Sequence, residues 1–357
     1  MNYTRSETDI IVADSIEELN YKQKKLLLAS ENGEIADGQK YAEALIKTLD
    51  GGVYNKIREK FRDQNYRGKV LAALDKKGVQ CVTLKSADYP ERLKQIPVPP
   101  LVLYLRGNVA LLATRKFAVV GSRKTTAQMT EACKKICAEL SQKLTVVTGV
   151  ADGADSAAAK GALKSGNIIC VLPGGHSRSG AANADLLRKV EQNGLSISEF
   201  PPSTRVQRHT FLLRNRVIAG LTEGVLVVSA AEKSGALSTA SYAANYSRDV
   251  FAFPYGVGVP SGAGCNALIK SGAYLCDCAA DILSVLGIDT AAKKESAPEL
   301  DGDEKIVYKL LKEQGETHAE KIAAALGTSL AEALTLCSLM EIKGLIIRTG
   351  GNAFAAI

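Results

Sequence analysis

From residue 116 to about residue 285, short apolar runs recur, each followed by a glycine-bearing loop and a helical stretch. KFAVV precedes Gly121-Ser122-Arg123 and a helix through Cys133 to Leu140. LTVVT leads into a loop with Gly149 and Gly153, then an Ala-rich helix from about Ser156. NIICVL ends in Pro173-Gly174-Gly175, GVLVV is followed by Ser234-Gly235 and another helix, and DVFAF is a further strand. Apolar runs this short, alternating with helices, predict strands buried on both faces, hence an α/β fold with a doubly wound, mostly parallel sheet.

The flanks read differently. Residues 15–65 are polar and helical in pattern, with Leu26, Leu27 and Leu28 and then Ala42, Ala44, Leu45 and Leu49 as candidate core faces. DTAAKKESAPEL has linker composition. After it come a helix, a short helix and a third helix, then LIIRTGGNAFAAI, two strands turning at Gly350-Gly351. No repeat of fixed period interrupts this order.

A chain of 357 residues is long enough for two or three domains, and 46% hydrophobic with 23% charged residues is a globular balance. No Trp and 5% aromatics argue against a base-stacking platform as the main device. The acidic N-terminus is not a secretory signal and no apolar run reaches membrane length, so a cytoplasmic protein with no membrane contact is expected. Eight cysteines without a CxxC pair, alongside three His, predict buried reduced thiols, no metal site and no cofactor. The net charge of +7 is uneven: residues 101–200 hold 13 basic and 7 acidic residues, whereas 288–357 hold 8 and 11. A polyanion belongs with the middle of the chain.

In such a sheet ligands bind at the carboxyl ends of the strands. The loops there carry glycines that let backbone amides approach an anion, with a helix N-terminus behind each. Arg123 and Lys124 sit just past one strand end. Any one of these loops is equally a tight βα turn; four on one sheet edge point to an anion. TRVQRHTFLLRNRVIAG adds Arg205, Arg208, His209, Arg214 and Arg216. This is either a basic strip for a chain of phosphates or a solvated helix start with Arg214 or Arg216 in a buried ion pair.

Taken together these segments resemble the DNA-processing protein A (DprA/Smf) family. The likeness runs over LDKKGVQCVTLKSADYPERLKQIPVPPLVLYLRGN, GSR at 121–123, TGVADGAD at 148–155, ISEFPP at 197–202 and F..RNR..AGL at 211–221. It continues in SGAL.TA at 234–240, R.VFA.P at 248–254 and G.N.LI..GA at 264–273. The departures are Asp152 within the second loop, HSRSGAAN after the third strand, Leu212 before RNR, Ser229 after the LVV strand and Tyr255 after Pro254.

The resemblance implies a helical, SAM-like domain at 1–70, a Rossmann-like domain at 71–287, a linker at 288–302 and a winged-helix domain at 303–357. It implies a non-catalytic homodimer that binds single-stranded DNA without sequence preference and loads RecA recombinase. Gly121, Ser122, Gly149, Gly153, Gly174, Gly175, Ser234 and Gly235 would supply loop contacts, with Asn215 and Asn266 beside them. Arg123, Lys124, Arg205, Arg208 and Arg214 would supply charge. The acidic tail, with Glu332 and Glu341 on its third helix, reads better as a protein-contact or packing module than as a DNA reader. Two rivals stand: a phosphoribohydrolase-like enzyme, whose PGG loop normally precedes a GT..E absent here, and a nucleotide-sensing adaptor. His176 and His209 lie in loops, and Asp155 reads as a helix cap or first-turn residue.

Overall fold

The computed structural model describes residues 3–32, 35–49, 51–177, 183–289 and 300–356. Five helices come first: α1 (Arg5–Asp14), α2 (Tyr21–Asn32), α3 (Ile35–Ile46), α4 (Gly51–Arg62) and α5 (Gln64–Lys76). Thr4 and Glu7 close a capping box that starts α1, and Asp63 caps α5. Leu27 and Leu45, on the expected core faces, are buried with Val12, Ile16, Tyr54 and Phe61. The other side of α1 turns Ile10 and Ile11 toward Cys81, Val102 and Tyr104 of the sheet. The boundary expected at 70–71 falls inside α5, because α1 and Leu74 of α5 share that core with the first two strands.

The strands and helices that follow are β1 (Gln80–Thr83), α6 (Glu91–Lys94), β2 (Val102–Gly107), β3 (Lys116–Val120), α7 (Ala127–Leu140), β4 (Thr145–Thr148), α8 (Ala154–Ala162), β5 (Ile168–Val171), α9 (Ala184–Asn193) and β6 (Leu195–Ser198). Then come α10 (Arg208–Leu221), β7 (Gly224–Val227), α11 (Ala236–Asn245), β8 (Asp249–Ala252), α12 (Ala263–Lys270), β9 (Tyr274–Leu275) and α13 (Ala279–Val285). They build a nine-stranded sheet in the order β1-β2-β6-β5-β4-β3-β7-β8-β9. Strands β3 to β9 run parallel to their neighbours, while β1 and β2 form an antiparallel margin against β6. Alternate residues feed two cores: Phe117 and Val119 face one, Ala118 and Val120 the other. Because β3 has β4 on one side and β7 on the other, the winding reverses there and a crevice opens at their carboxyl ends. Of two apolar stretches near 221–228 and 267–275, the first is core, whereas Tyr274 and Leu275 on edge strand β9 stand half-exposed.

The last 55 or so residues form a winged helix: α14 (Gly302–Gln314), β10 (Thr317–His318), α15 (Ala319–Leu326), α16 (Leu330–Ile342), β11 (Ile346–Gly350) and β12 (Ala353–Ala356). Its sheet runs β10-β12-β11, one strand more than the two-stranded wing expected. Gly351 takes φ +52° in the turn between β11 and β12, a left-handed value that glycine adopts without strain. Most of the linker expected at 288–302 lies outside the described residues. All eight cysteines are free thiols, and all but Cys278 are buried.

Candidate nucleic-acid interface

At the reversal point lies a cavity of about 360 Å³, walled by the loop after β3, the start of α8, one side of α10 and the loop after β7. The first loop is held from below. The Ser122 amide donates to Ser229 O at 2.8 Å and to Ser229 Oγ at 3.1 Å, and the Ala154 amide donates to Ser122 O at 3.2 Å. Lys124 N–H folds back onto Ser122 Oγ at 3.1 Å. Gly153, at φ +74°, passes so close to the Ser122 and Arg123 backbone that a Cβ there would collide. A Cβ on Gly121 would stand 2.6 Å from the Ala154 methyl. Packing thus pins the loop and leaves the Arg123 and Lys124 side chains in solvent. Arg123 rests over the Phe211 ring, 5.1 Å from its centre, a cation–π contact that restricts the guanidinium without neutralising it.

Arg214 and Arg216 sit two residues apart on α10 and meet different fates. Arg216 is ion-paired with buried Glu199 and also donates to Val98 O at 2.5 Å. Burial outweighs that guanidinium and pushes Glu199 up to about 7. Arg214 lines the cavity, with Nη1 3.5 Å from Asp155 Oδ2 and Nε without a partner among the described residues. Burial raises the Asp155 carboxyl, while Arg214 and the Ala151 amide pull it back. Asp155 is therefore a first-turn residue of α8, as expected, and also the counter-charge of Arg214. Asn215 donates to Ser238 Oγ at 2.8 Å, tying α10 to the helix after β7.

Gly121, Ser122, Arg123, Arg214, Asn215, Ser234 and Gly235 therefore meet around one cavity. Arg205 and Arg208 are exposed at the approach to α10, with no ion pair among the described residues. Gly149 lies behind the cavity, where a side chain would overlap Arg214 and Asp155. Gly174 and Gly175 are buried against residues 201–206: Gly175 N–H donates to Thr204 O at 3.0 Å, and Gly174 O accepts from Ser198 Oγ at 2.9 Å. They shape the segment leading into α10 and do not reach the cavity. Asn266 spends its amide on the Tyr255 backbone, at 3.0 and 2.9 Å. Tyr255 in turn donates its hydroxyl to Val228 O at 2.9 Å, beside Ser229. Asp152 accepts from Asn183 at 3.0 Å. His176 is buried with Nε2 3.0 Å from Ser196 Oγ, and burial holds it down at about 3. Residues 178–182 of HSRSGAAN lie outside the described residues. Phe211, at the cavity wall, is not among the expected site residues, although it opens the F..RNR..AGL segment at 211–221 and is the aromatic residue within the basic strip.

The sequence matches the DNA recombination-mediator protein A family over residues 80–287 and the DprA winged-helix domain over 291–352. This chain belongs to the DprA family. It is 36% identical over 222 residues to the DNA processing protein DprA of Bacillus subtilis, covering 61% of this chain and 75% of that one. It is 37% identical over 211 residues to Protein Smf of Escherichia coli, covering 57% and 56%. Among solved DprA structures, the Streptococcus pneumoniae protein superimposes with a TM-score of 0.61 at 30% identity, over 80% of this chain and 98% of that one. DNA processing protein A from Helicobacter pylori, studied for its single-stranded DNA binding mode, gives 0.52 at 27% identity, over 58% and 95%.

Proposed function

We propose that this DprA-family protein binds single-stranded DNA along the carboxyl edge of its sheet and there loads RecA recombinase. It does so as a non-catalytic, cytoplasmic homodimer. The observation that carries this reading is Arg123, exposed at the wall of a glycine-loop cavity at the reversal point, with exposed Lys124 next to it in sequence and exposed Arg205 and Arg208 at the start of α10, which forms another wall. Phosphates would meet the pinned backbone of residues 121–124 and these side chains, contacts that carry no base information. The Helicobacter pylori relative, described for its single-stranded DNA binding, supports the same reading here. Against catalysis, the loop carboxylates Asp155 and Glu199 are both engaged by arginines. Half-exposed Tyr274 and Leu275 on the sheet margin suit a dimer contact. The N-terminal helices would be the SAM-like domain of this arrangement.

A mononucleotide adaptor is the second reading, since a cavity of about 360 Å³ suits one nucleotide. Titrating a labelled single strand of about 35 nucleotides against a duplex of equal length separates the two. The proposal expects tighter single-strand binding, and RecA filament growth on that strand accelerated by the protein. Displacement by micromolar mononucleotide would favour the adaptor.

A further inference from the structure

The winged helix exposes a face that is wrong for nucleic acid. On α16, Glu332, Thr335, Leu339 and Ile342 follow one another on the outward side, with Leu339 51% and Ile342 83% exposed. The helix contains no Lys or Arg, and the next cation, Lys343, is held by Glu304 at 2.6 Å. A helix that enters a DNA groove needs positive charge beside the phosphates. This one presents hydrocarbon between the carboxylates of Glu332 and Glu341.

The complementary surface is at the start of α10. Arg208 and His209 occupy its first turn, and Leu212 (51% exposed) and Leu213 (37%) stand one turn further along the same rows. Arg205 precedes them. Each chain thus carries a basic-apolar face and an acidic-apolar face; on the acidic one Glu332 caps its own helix and Glu341 accepts from Arg348 N–H at 3.1 Å, but both side chains stay exposed. Two copies related by a two-fold axis would cover both at once, since such a contact is used twice.

We propose that α16 of one copy docks on the start of α10 in a second copy. Leu339 and Ile342 pack against Leu212 and Leu213, and Glu332 and Glu341 face Arg205 and Arg208. Its consequence rests on the DNA-binding reading: those arginines belong to the phosphate path, so the tail and a single strand exclude each other. The tail is an acidic stand-in for DNA that an incoming strand must displace.

The test mixes two full-length chains, one Leu212→Cys and one Ile342→Cys, both with Cys278→Ser to remove the exposed native thiol. Mild oxidation should give a disulfide-linked dimer in the mixture, and a single strand of about 35 nucleotides should suppress it. In parallel, full-length Leu339→Ser/Ile342→Ser should bind that strand about threefold to tenfold more tightly than wild type, which corresponds to the modest coupling typical of linked sites. Both positions are exposed, so the fold is kept. Wild type that binds DNA, with no mixed dimer and unchanged affinity in the double variant, overturns the docking and leaves the DNA reading intact. Duplex binding by wild type that the double variant loses would also overturn it, by assigning α16 to DNA. A mixed dimer in a protein that binds no DNA would uphold the docking and sink the DNA reading.

Discussion

At the amino edge of the sheet, where β3 and β7 begin, Arg115 lays its guanidinium on both oxygens of Glu223 at 2.7–3.2 Å and on Leu286 O at 3.0 Å. Lys116 beside it is buried, bonded to Leu112 O at 2.7 Å and Thr114 O at 2.5 Å, and burial pulls it down to about 8. The cavity there, about 570 Å³, is larger than the one of about 360 Å³ at the carboxyl edge. Yet its wall sets Asp88, Glu91 and Glu223 against Arg92, Arg115 and Lys116. At the carboxyl edge Arg123, Lys124, Arg205 and Arg208 are in no ion pair among the described residues, and Arg214 keeps an unused Nε. Two edges of one sheet hold similar cations, and they differ in how much of that charge is spent. Unspent charge marks an anion site better than cavity size does.

The largest effect that would break this contrast is at Arg214. Arg214→Ala leaves Asp155 buried without its counter-charge, so the protein should lose about 3 kcal/mol on denaturant unfolding together with its single-strand binding. A variant of wild-type stability would show that Asp155 does not depend on Arg214 as its counter-charge.

Glu199→Gln probes the closed pair on the same helix. The folded carboxyl sits near 7, above its ordinary 4.5, so its protonated form stabilises the fold fully below pH 4.5 and that contribution fades as pH rises to about 7. Wild type should lose stability relative to Glu199→Gln between those limits, by on the order of 2–3 kcal/mol, as unfolding titrations at several pH values would register. Parallel pH profiles would mean that Arg216 keeps the carboxylate ionised.

Smaller, and confined to binding, is Arg123→Ala. The side chain is exposed and rests on Phe211, so unfolding should shift by under about 0.5 kcal/mol while single-strand affinity falls about tenfold. Smallest is Arg115→Ala at the opposite edge. Loss of this half-exposed guanidinium from the largely buried Glu223 should cost about 1 kcal/mol in unfolding and leave the oligonucleotide titration unchanged.

The alternation of apolar run, glycine loop and helix made the parallel sheet legible, since strands buried on both faces need little else to declare themselves. β1 and β2 lie ahead of that alternation, and their pairing with β6 is set by tertiary contacts that no local period records. Arg123 and Ser122 were readable because a loop after a strand is where ligands meet such sheets. Gly174, Gly175 and Asn266 look the same in one dimension, but their loops turn toward the protein: glycine serves a tight backbone crossing as readily as an anion. Nor does spacing reveal that Asp155 answers Arg214 while Glu199 answers Arg216. These carboxylates stand 59 and 17 residues from their partners, and only the fold joins them.

The salt dependence of single-strand binding, compared in three proteins, decides which edge of the sheet holds the phosphates. Wild type, Arg123→Ala/Arg208→Ala and Arg92→Ala/Arg115→Ala would be titrated with one strand across a salt series. Each phosphate contact adds about 0.7 to the log–log slope for a single strand. The slope should be lower by about 1.4 in the carboxyl-edge variant and equal to wild type in the amino-edge variant. The reverse, or one common slope for all three, would contradict a phosphate path at the carboxyl edge.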